Sequence, residues 1–185
     1  MRSAAFLDRD GVLNACLITH DTPHPPSKIS EVEILPGVKE AIELLICNNY
    51  LPIVITNQPD VARAKTSLSE VQKINEYVGK NTGIKNFYIC PHDDVDKCSC
   101  RKPKPGLIEM AAKELEIDLS TSFLVGDRWR DIEAGQAMKL PSFFIDYSYH
   151  ESQPKLPFQR VSSLLEAVKF RLGVGNEPKC QNAQN

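Results

Sequence analysis

The sequence predicts an α/β fold, a doubly wound parallel sheet, and three observations predict it. Short apolar runs alternate along the whole chain with stretches of helical apolar periodicity. The runs are continuously apolar rather than alternating, as strands covered on both faces are. Three of them stop at a polar residue: Asp8, Thr56 and Asp127. Parallel sheets of this kind collect their ligand site at the carboxyl ends of the strands, so three separate segments deliver chemistry to one edge.

The elements follow in order. Ala4 to Leu7 reads as a buried strand that ends at Asp8. Residues 15–34, with Pro23, Pro25 and Pro26, read as a loop or small flap. Pro36 opens a helix with Val38, Ala41, Ile42, Leu45 and Ile46 on one face, closed by Asn48 and Asn49. Leu51 to Ile55 is a second strand. Ser67 and Glu70 form a capping box for a helix carrying Val71, Ile74 and Val78. Phe87 to Ile89 is a third strand, followed by a cysteine-rich loop and a helix with Leu107, Ile108, Ala111, Ala112 and Leu115. Ser122 to Val125 is a fourth strand, Ile132 to Met138 a short helix, and Ser142 to Ile145 a fifth strand. Ser163 and Glu166 cap a last helix with Leu164, Leu165 and Val168.

A chain of 185 residues suits one domain, over residues 1–172, with a polar tail from Gly173 expected to be disordered. The net charge of -2 gives no long-range attraction to nucleic acid or to an anionic membrane, but leaves room for a local positive pocket that takes a small phosphorylated metabolite. No run of about 18 apolar residues is present, and the start at Met1 reaches acidic Asp8 without a leader-like apolar stretch. A cytoplasmic monomer is the expectation.

Asp8-Arg9-Asp10-Gly11 places two carboxylates two residues apart, between a strand and a glycine turn, where one can act as nucleophile and the other as general acid and base. A solvated pair of turn acids is the plain alternative. The hydroxyl of Thr56, with Asn57 beside it, can hold a phosphoryl oxygen. Arg101 and Lys102, pinned by Pro103 and Pro105, can neutralise a transferring phosphoryl group, or can simply be solvated. Gly126-Asp127 brings a third carboxylate and completes an oxygen ligand set suited to Mg²⁺, with Asp131 in support. Cys90-Pro91-His92 and Cys98-Ser99-Cys100 offer three thiolates and an imidazole, the donor set of a closed, structural tetrahedral Zn²⁺ site. Such a site would fold the loop that presents Arg101 and Lys102. Cys16, Cys47 and Cys180 read as thiols outside that pattern, and His20, His24 and His150 as loop residues.

In order, Asp8-Arg9-Asp10-Gly11, Thr56, the Lys102 region and Gly126-Asp127 resemble the motif set of the haloacid dehalogenase (HAD) superfamily of phosphatases. The resemblance covers about residues 4 to 146. It implies a Rossmann-like core in which Asp8 attacks phosphorus and forms an aspartyl-phosphate. Asp10 would protonate the leaving oxygen and then activate water. Mg²⁺ would be held by Asp8, Asp127 and the main-chain carbonyl of Asp10, with Thr56, Arg101 and Lys102 on the phosphoryl group. The zinc loop running into Arg101-Lys102-Pro103 resembles the histidinol-phosphate and heptose-bisphosphate phosphatase branch, whose members lack a large cap. Thr56-Asn57-Gln58 through Ala62-Arg63 is similar to the heptose enzymes, which implies heptose 1,7-bisphosphate as substrate and Arg128 near its second phosphate. Pro59-Asp60, Ala64 and the long 15–34 segment depart from that pattern. Histidinol phosphate is the alternative substrate. A polynucleotide 3′-phosphatase shares the Thr-Asn-Gln and Arg-Lys-Pro layout, but its groove would need a basic excess. A catalytically inactive, zinc-stapled binding scaffold is the reading from a different class.

Overall fold

The computed structural model describes residues 1–19 and 22–174, so His20, Cys180 and the tail beyond Val174 lie outside the described residues. One six-stranded sheet carries the architecture. Its strands are β1 (Ser3–Leu7), β4 (Tyr50–Asn57), β5 (Asn86–Cys90), β6 (Phe123–Gly126), β7 (Ser142–Ile145) and β8 (Gln159–Val161). A separate ribbon pairs β2 (Leu17–Thr19) with β3 (Thr22–His24). The helices are α1 (Val38–Cys47), α2 (Leu68–Thr82), α3 (Gly106–Glu114), α4 (Trp129–Ala137) and α5 (Leu164–Leu172).

The sheet order is β5-β4-β1-β6-β7-β8 and every pairing within it is parallel. From β1 the chain winds outward to β5, then returns to β6 on the other side. The topological switch therefore lies at β1, where the carboxyl ends of β4, β1 and β6 open a crevice. The period-2 alternation of β1 divides the core. Ala5 and Leu7 pack with α1, α2 and α5, while Ala4 and Phe6 pack with α3 and α4. Both faces are thus dry, which is why the strands read as unbroken apolar runs.

Three expectations need correction. The 15–34 segment is a small flap with regular structure rather than an irregular loop: it carries the β2–β3 ribbon and a 3₁₀ turn at Ile29–Glu31. Pro23 sits opposite Ile18 there, and a two-stranded ribbon has only edge strands, so its missing N–H costs little. The first helix starts at Val38, after Gly37 in a left-handed N-cap (φ 77), rather than at Pro36. A sixth strand, β8, went unread because it is a three-residue edge with one buried side chain. Ser67 and Ser163 do cap α2 and α5, each accepting from the backbone N–H three residues on. No cap domain interrupts the described core, and no described helix is long and apolar enough to cross a membrane.

Candidate active site

Asp8 follows the last residue of β1, and its backbone N–H donates to Val125 O at 3.0 Å, which locks the ends of β1 and β6 together. The next residues fold back on themselves, with the N–H groups of Leu13 and Asn14 donating to Arg9 O. Gly11 makes this turn possible: its φ is +85, and a Cβ there would lie 2.1 Å from Asp127 Oδ2. The two acidic motifs are therefore packed backbone against carboxylate.

Lys102 reaches this edge from the loop after β5. It is buried, and its Nζ donates to Asp8 Oδ1 (2.7 Å) and Ile55 O (2.7 Å) and pairs with Asp131 Oδ1 (2.5 Å). Burial pulls the ammonium pKa down, but Asp131 and Asp8 outweigh it and hold the charge well above its ordinary range. Asn57 fixes the lysine's backbone, accepting from Lys102 N (3.1 Å) and donating to Lys102 O (3.0 Å). Asn57 therefore braces the Lys102 backbone and lines the cleft as well. Thr56, at the end of β4, is buried and accepts from Gln58 Nε2 at 3.0 Å.

Asp8 and Asp127 carry the electrostatic cost of the site. Burial, only partly offset by Lys102, raises Asp8 to about 7. Burial, together with Asp8 and Asp131, raises Asp127 well above the carboxylate range. Neither oxygen of Asp127 has a hydrogen-bond partner among the described residues. Ligand oxygens of Asp8, Asp127 and Asp131 lie within 4.8 Å of one another. A divalent cation fits this set: it supplies the missing partner for Asp127 and relieves the crowded negative charge. Asp131 also accepts from the Arg128 backbone N–H at 3.0 Å, so it braces both α4 and Lys102.

The Asp10 side chain faces elsewhere. Its Oδ1 accepts from Arg9 Nε (3.1 Å) and Asn14 Nδ2 (2.9 Å), and its Oδ2 from Arg9 Nη2 (3.0 Å) and Gln58 Nε2 (2.7 Å). The carboxylate is thus not part of the metal cluster, which leaves Asp10 only its main-chain carbonyl as a ligand atom. Arg9 is fully buried, and its Nη1 donates to Asn75 Oδ1 (2.7 Å) on α2. Sequence reasoning missed Arg9, Asn14, Gln58 and Asn75. Asn75 left one signal: it lies on the stripe of Val71, Ile74 and Val78 that α2 buries, where a polar side chain needs a partner.

The loop after β5 holds the second cluster. Cys90 Sγ lies 3.7 Å from His92 Nδ1 and from Cys98 Sγ, and 3.3 Å from Cys100 Sγ. Cys100 Sγ lies 3.3 Å from His92 Nδ1 and 3.5 Å from Cys98 Sγ. These separations are too long for disulfides and approach the edges of about 3.8 Å that a tetrahedron with 2.3 Å Zn–S bonds requires. The loop also anchors the cations. Arg101 donates to Asp94 Oδ1 (2.8 Å) and His92 O (3.3 Å), and Arg63 meets both oxygens of Asp93 (2.7 and 2.8 Å).

Asp8, Asp10, Asp127, Asp131, Lys102 and four arginines line a cleft of about 330 Å³, while the cysteines of the loop after β5 and Thr56 lie outside its lining. Asp8, Asp10 and Lys102 form its floor, Arg63, Arg101, Arg128 and Arg130 its rim, and Pro23 to Pro25 of the ribbon its flank. His24, expected to be a loop residue, is a β3 residue on that wall. The Arg128 guanidinium is held by both oxygens of Glu151 and lies 5.6 Å from the Tyr149 ring centroid.

A family model described as HAD-hydrolase-like matches residues 99–158. The D-glycero-β-D-manno-heptose-1,7-bisphosphate 7-phosphatase of Pasteurella multocida is 37% identical over 151 residues, covering 76% of this chain and 79% of that protein. The D-glycero-α-D-manno-heptose-1,7-bisphosphate 7-phosphatase of Campylobacter jejuni is 35% identical over 137 residues, covering 71% and 75%. The D,D-heptose 1,7-bisphosphate phosphatase of B. bronchiseptica, solved with magnesium and phosphate, superposes with a TM-score of 0.80 at 23% identity. That match covers 92% of this chain and 98% of the other, and at this identity it speaks for the fold.

Proposed function

This chain belongs to the heptose-1,7-bisphosphate 7-phosphatase family of HAD-like hydrolases, and on that premise we propose that it removes the 7-phosphate of D-glycero-D-manno-heptose 1,7-bisphosphate through an aspartyl-phosphate on Asp8. One observation carries the reading. A carboxylate at the switch point of the sheet is held 2.7 Å from a buried ammonium, beside a second carboxylate whose oxygens have no partner.

Asp8 Oδ2, the oxygen that Lys102 does not bond, attacks phosphorus in line with the leaving oxygen. The P–O bond to the sugar breaks, and the sugar oxygen takes a proton from Asp10. A water then gives its proton to Asp10 and attacks the same phosphorus, releasing Asp8 and inorganic phosphate. All four lone-pair positions of Asp10 are met by donors, so taking up a proton means releasing Gln58 or Asn14, the two neutral partners. Arg9 and Asn75 keep the group within reach while it exchanges them. Lys102 and the Thr56 hydroxyl stabilise charge on the transferring oxygens, where one preorganised donor typically contributes about 10²–10³ in rate. Bound Mg²⁺, held by Asp8, Asp127 and the Asp10 carbonyl, would neutralise the phosphoryl oxygens and the carboxylates together. Zn²⁺ on Cys90, His92, Cys98 and Cys100 has a structural role and shapes the loop that delivers Arg101 and Lys102. The arginine rim supplies the charge that a second phosphate needs.

The test is phosphate release, with Mg²⁺, from both anomers of heptose 1,7-bisphosphate and from histidinol phosphate. A preference of about a hundredfold in kcat/KM for a heptose anomer, about 2.7 kcal/mol in transition-state binding, is expected. Equal or better turnover of histidinol phosphate would overturn the substrate assignment.

A further inference from the structure

Five residues after β7, Asp146 to His150, and Glu151 beyond them, do nothing in the chemistry above, yet they reach three parts of the site. Tyr147 donates its hydroxyl to Gly11 O at 3.0 Å, at the turn after Asp10. Tyr149 shares a cavity wall with Cys16, which also lines the catalytic cleft. Glu151 holds Arg128. The two tyrosine rings stack, with centroids 5.4 Å apart and planes 26° from parallel. They face a second cavity, of about 490 Å³, whose remaining wall is mainly apolar, with Ala15, Cys16, Ile18 and Leu35. Cys16 lines this cavity and the catalytic cleft alike, so the two adjoin at that residue.

We propose that the stacked Tyr147–Tyr149 wall is a subsite for the ring of the phosphomonoester, taking its flat apolar face while the phosphate sits at Asp8. This rests on the phosphatase reading above and adds to it the residue that selects the leaving group. The catalytic cleft is a polar space filled largely by charged groups, and a ring-bearing substrate needs a neighbouring surface that accepts C–H or π faces. Pre-stacked aromatic rings offer that surface with little ordering cost, because their stacking and the Tyr147 hydrogen bond already fix them. Tyr149 is the central residue. It lines the apolar cavity, and its ring centroid lies 5.6 Å from the guanidinium of Arg128, which lines the catalytic cleft. A pyranose and an aryl ring share this face chemistry, and the experiment separates them.

Steady-state kinetics would be measured for wild type, Tyr149→Phe, Tyr149→Leu and Tyr149→Ala on three substrates. These are heptose 1,7-bisphosphate, an aryl phosphate and glycerol 3-phosphate, which has no ring. The kcat/KM ratio of a ring-bearing substrate to glycerol 3-phosphate is expected to fall about tenfold in Tyr149→Ala and Tyr149→Leu, chiefly through KM. Tyr149→Phe keeps the ring and is expected to keep the ratio. The Leu variant keeps more apolar volume than Ala, so it carries the test if the Ala variant does not fold. The ring substrate whose ratio falls names the ligand. If both ratios stay constant while all activities fall together, Tyr149 only braces the motif turn and the inference is overturned. Cleavage of heptose bisphosphate with constant ratios would leave the substrate assignment intact and sink the subsite. A selective loss with the aryl phosphate alone, heptose bisphosphate not being cleaved, would do the reverse.

Discussion

Replacing the nucleophile with its neutral isostere, Asp8→Asn, is expected to abolish turnover and at the same time stabilise the Mg²⁺-free fold at alkaline pH. Asp8 is buried beside Asp131 and Asp10, and despite Lys102 its ionisation is pushed from 3.8 to about 7. A folded-state value above the unfolded one means that the charged form opposes folding. That cost is complete above pH 7 and is relieved as pH falls from about 7 towards 3.8. The rise corresponds to about 4 kcal/mol. Asn carries no charge and so escapes this cost. For a domain of this size the gain amounts to about 8–16 °C in melting temperature. The assay is thermal or urea unfolding of both proteins in Mg²⁺-free buffer, with zinc retained, between pH 5 and 8.5. The difference should be largest at the alkaline end and shrink towards pH 5. Asp127, raised by burial and by the Asp8 charge, opposes folding in the same window, and removing that charge eases its cost as well, in the same direction. Asp93, lowered to about 2 by Arg63, loses its contribution only at more acidic pH. Adding Mg²⁺ should stabilise the wild type and narrow the gap. A variant less stable than wild type at pH 8.5 without Mg²⁺ would refute the reasoning, since Lys102 would then outweigh burial.

Arg9→Met leaves Asp10 and Asn75 without their buried partner, and should cost about 3–5 kcal/mol of stability with a fall of about 10²–10⁴ in kcat; urea titration and steady-state kinetics check this. Gly11→Ala drives a Cβ into Asp127 Oδ2 at a positive φ, so Mg²⁺ affinity measured by calorimetry should collapse. Cys100→Ser should lower the zinc content below one per chain and reduce kcat about tenfold or more by loosening the Lys102 loop; elemental analysis of the purified protein reports the first effect directly.

The fold was legible because its signal is local. Continuous apolar strands such as Ala4–Leu7 and amphipathic helices such as that of Ile74 and Val78 announce themselves by period. The β2–β3 ribbon was not, since its three-residue strands bury little and contain Pro23. The acids Asp8 and Asp127 and the cation Lys102 were legible because they sit at strand ends or beside prolines. Their supporting residues were not. Arg9 pointing back to Asn75, 66 residues away, is a relation between elements that no spacing encodes. The grip of the Asn57 amide on the Lys102 backbone is another such relation, since it arises only where the end of β4 meets the Lys102 loop.

The most direct test of the mechanism is chemical trapping of the intermediate. Enzyme turning over with Mg²⁺ and heptose 1,7-bisphosphate is quenched and reduced with borohydride, and the peptide containing Asp8 is analysed by mass spectrometry. An acyl phosphate on Asp8 is reduced to homoserine at that position, which is the expected result. An unmodified Asp8 under conditions of active turnover, or homoserine at position 10 or 127, would contradict nucleophilic attack by Asp8.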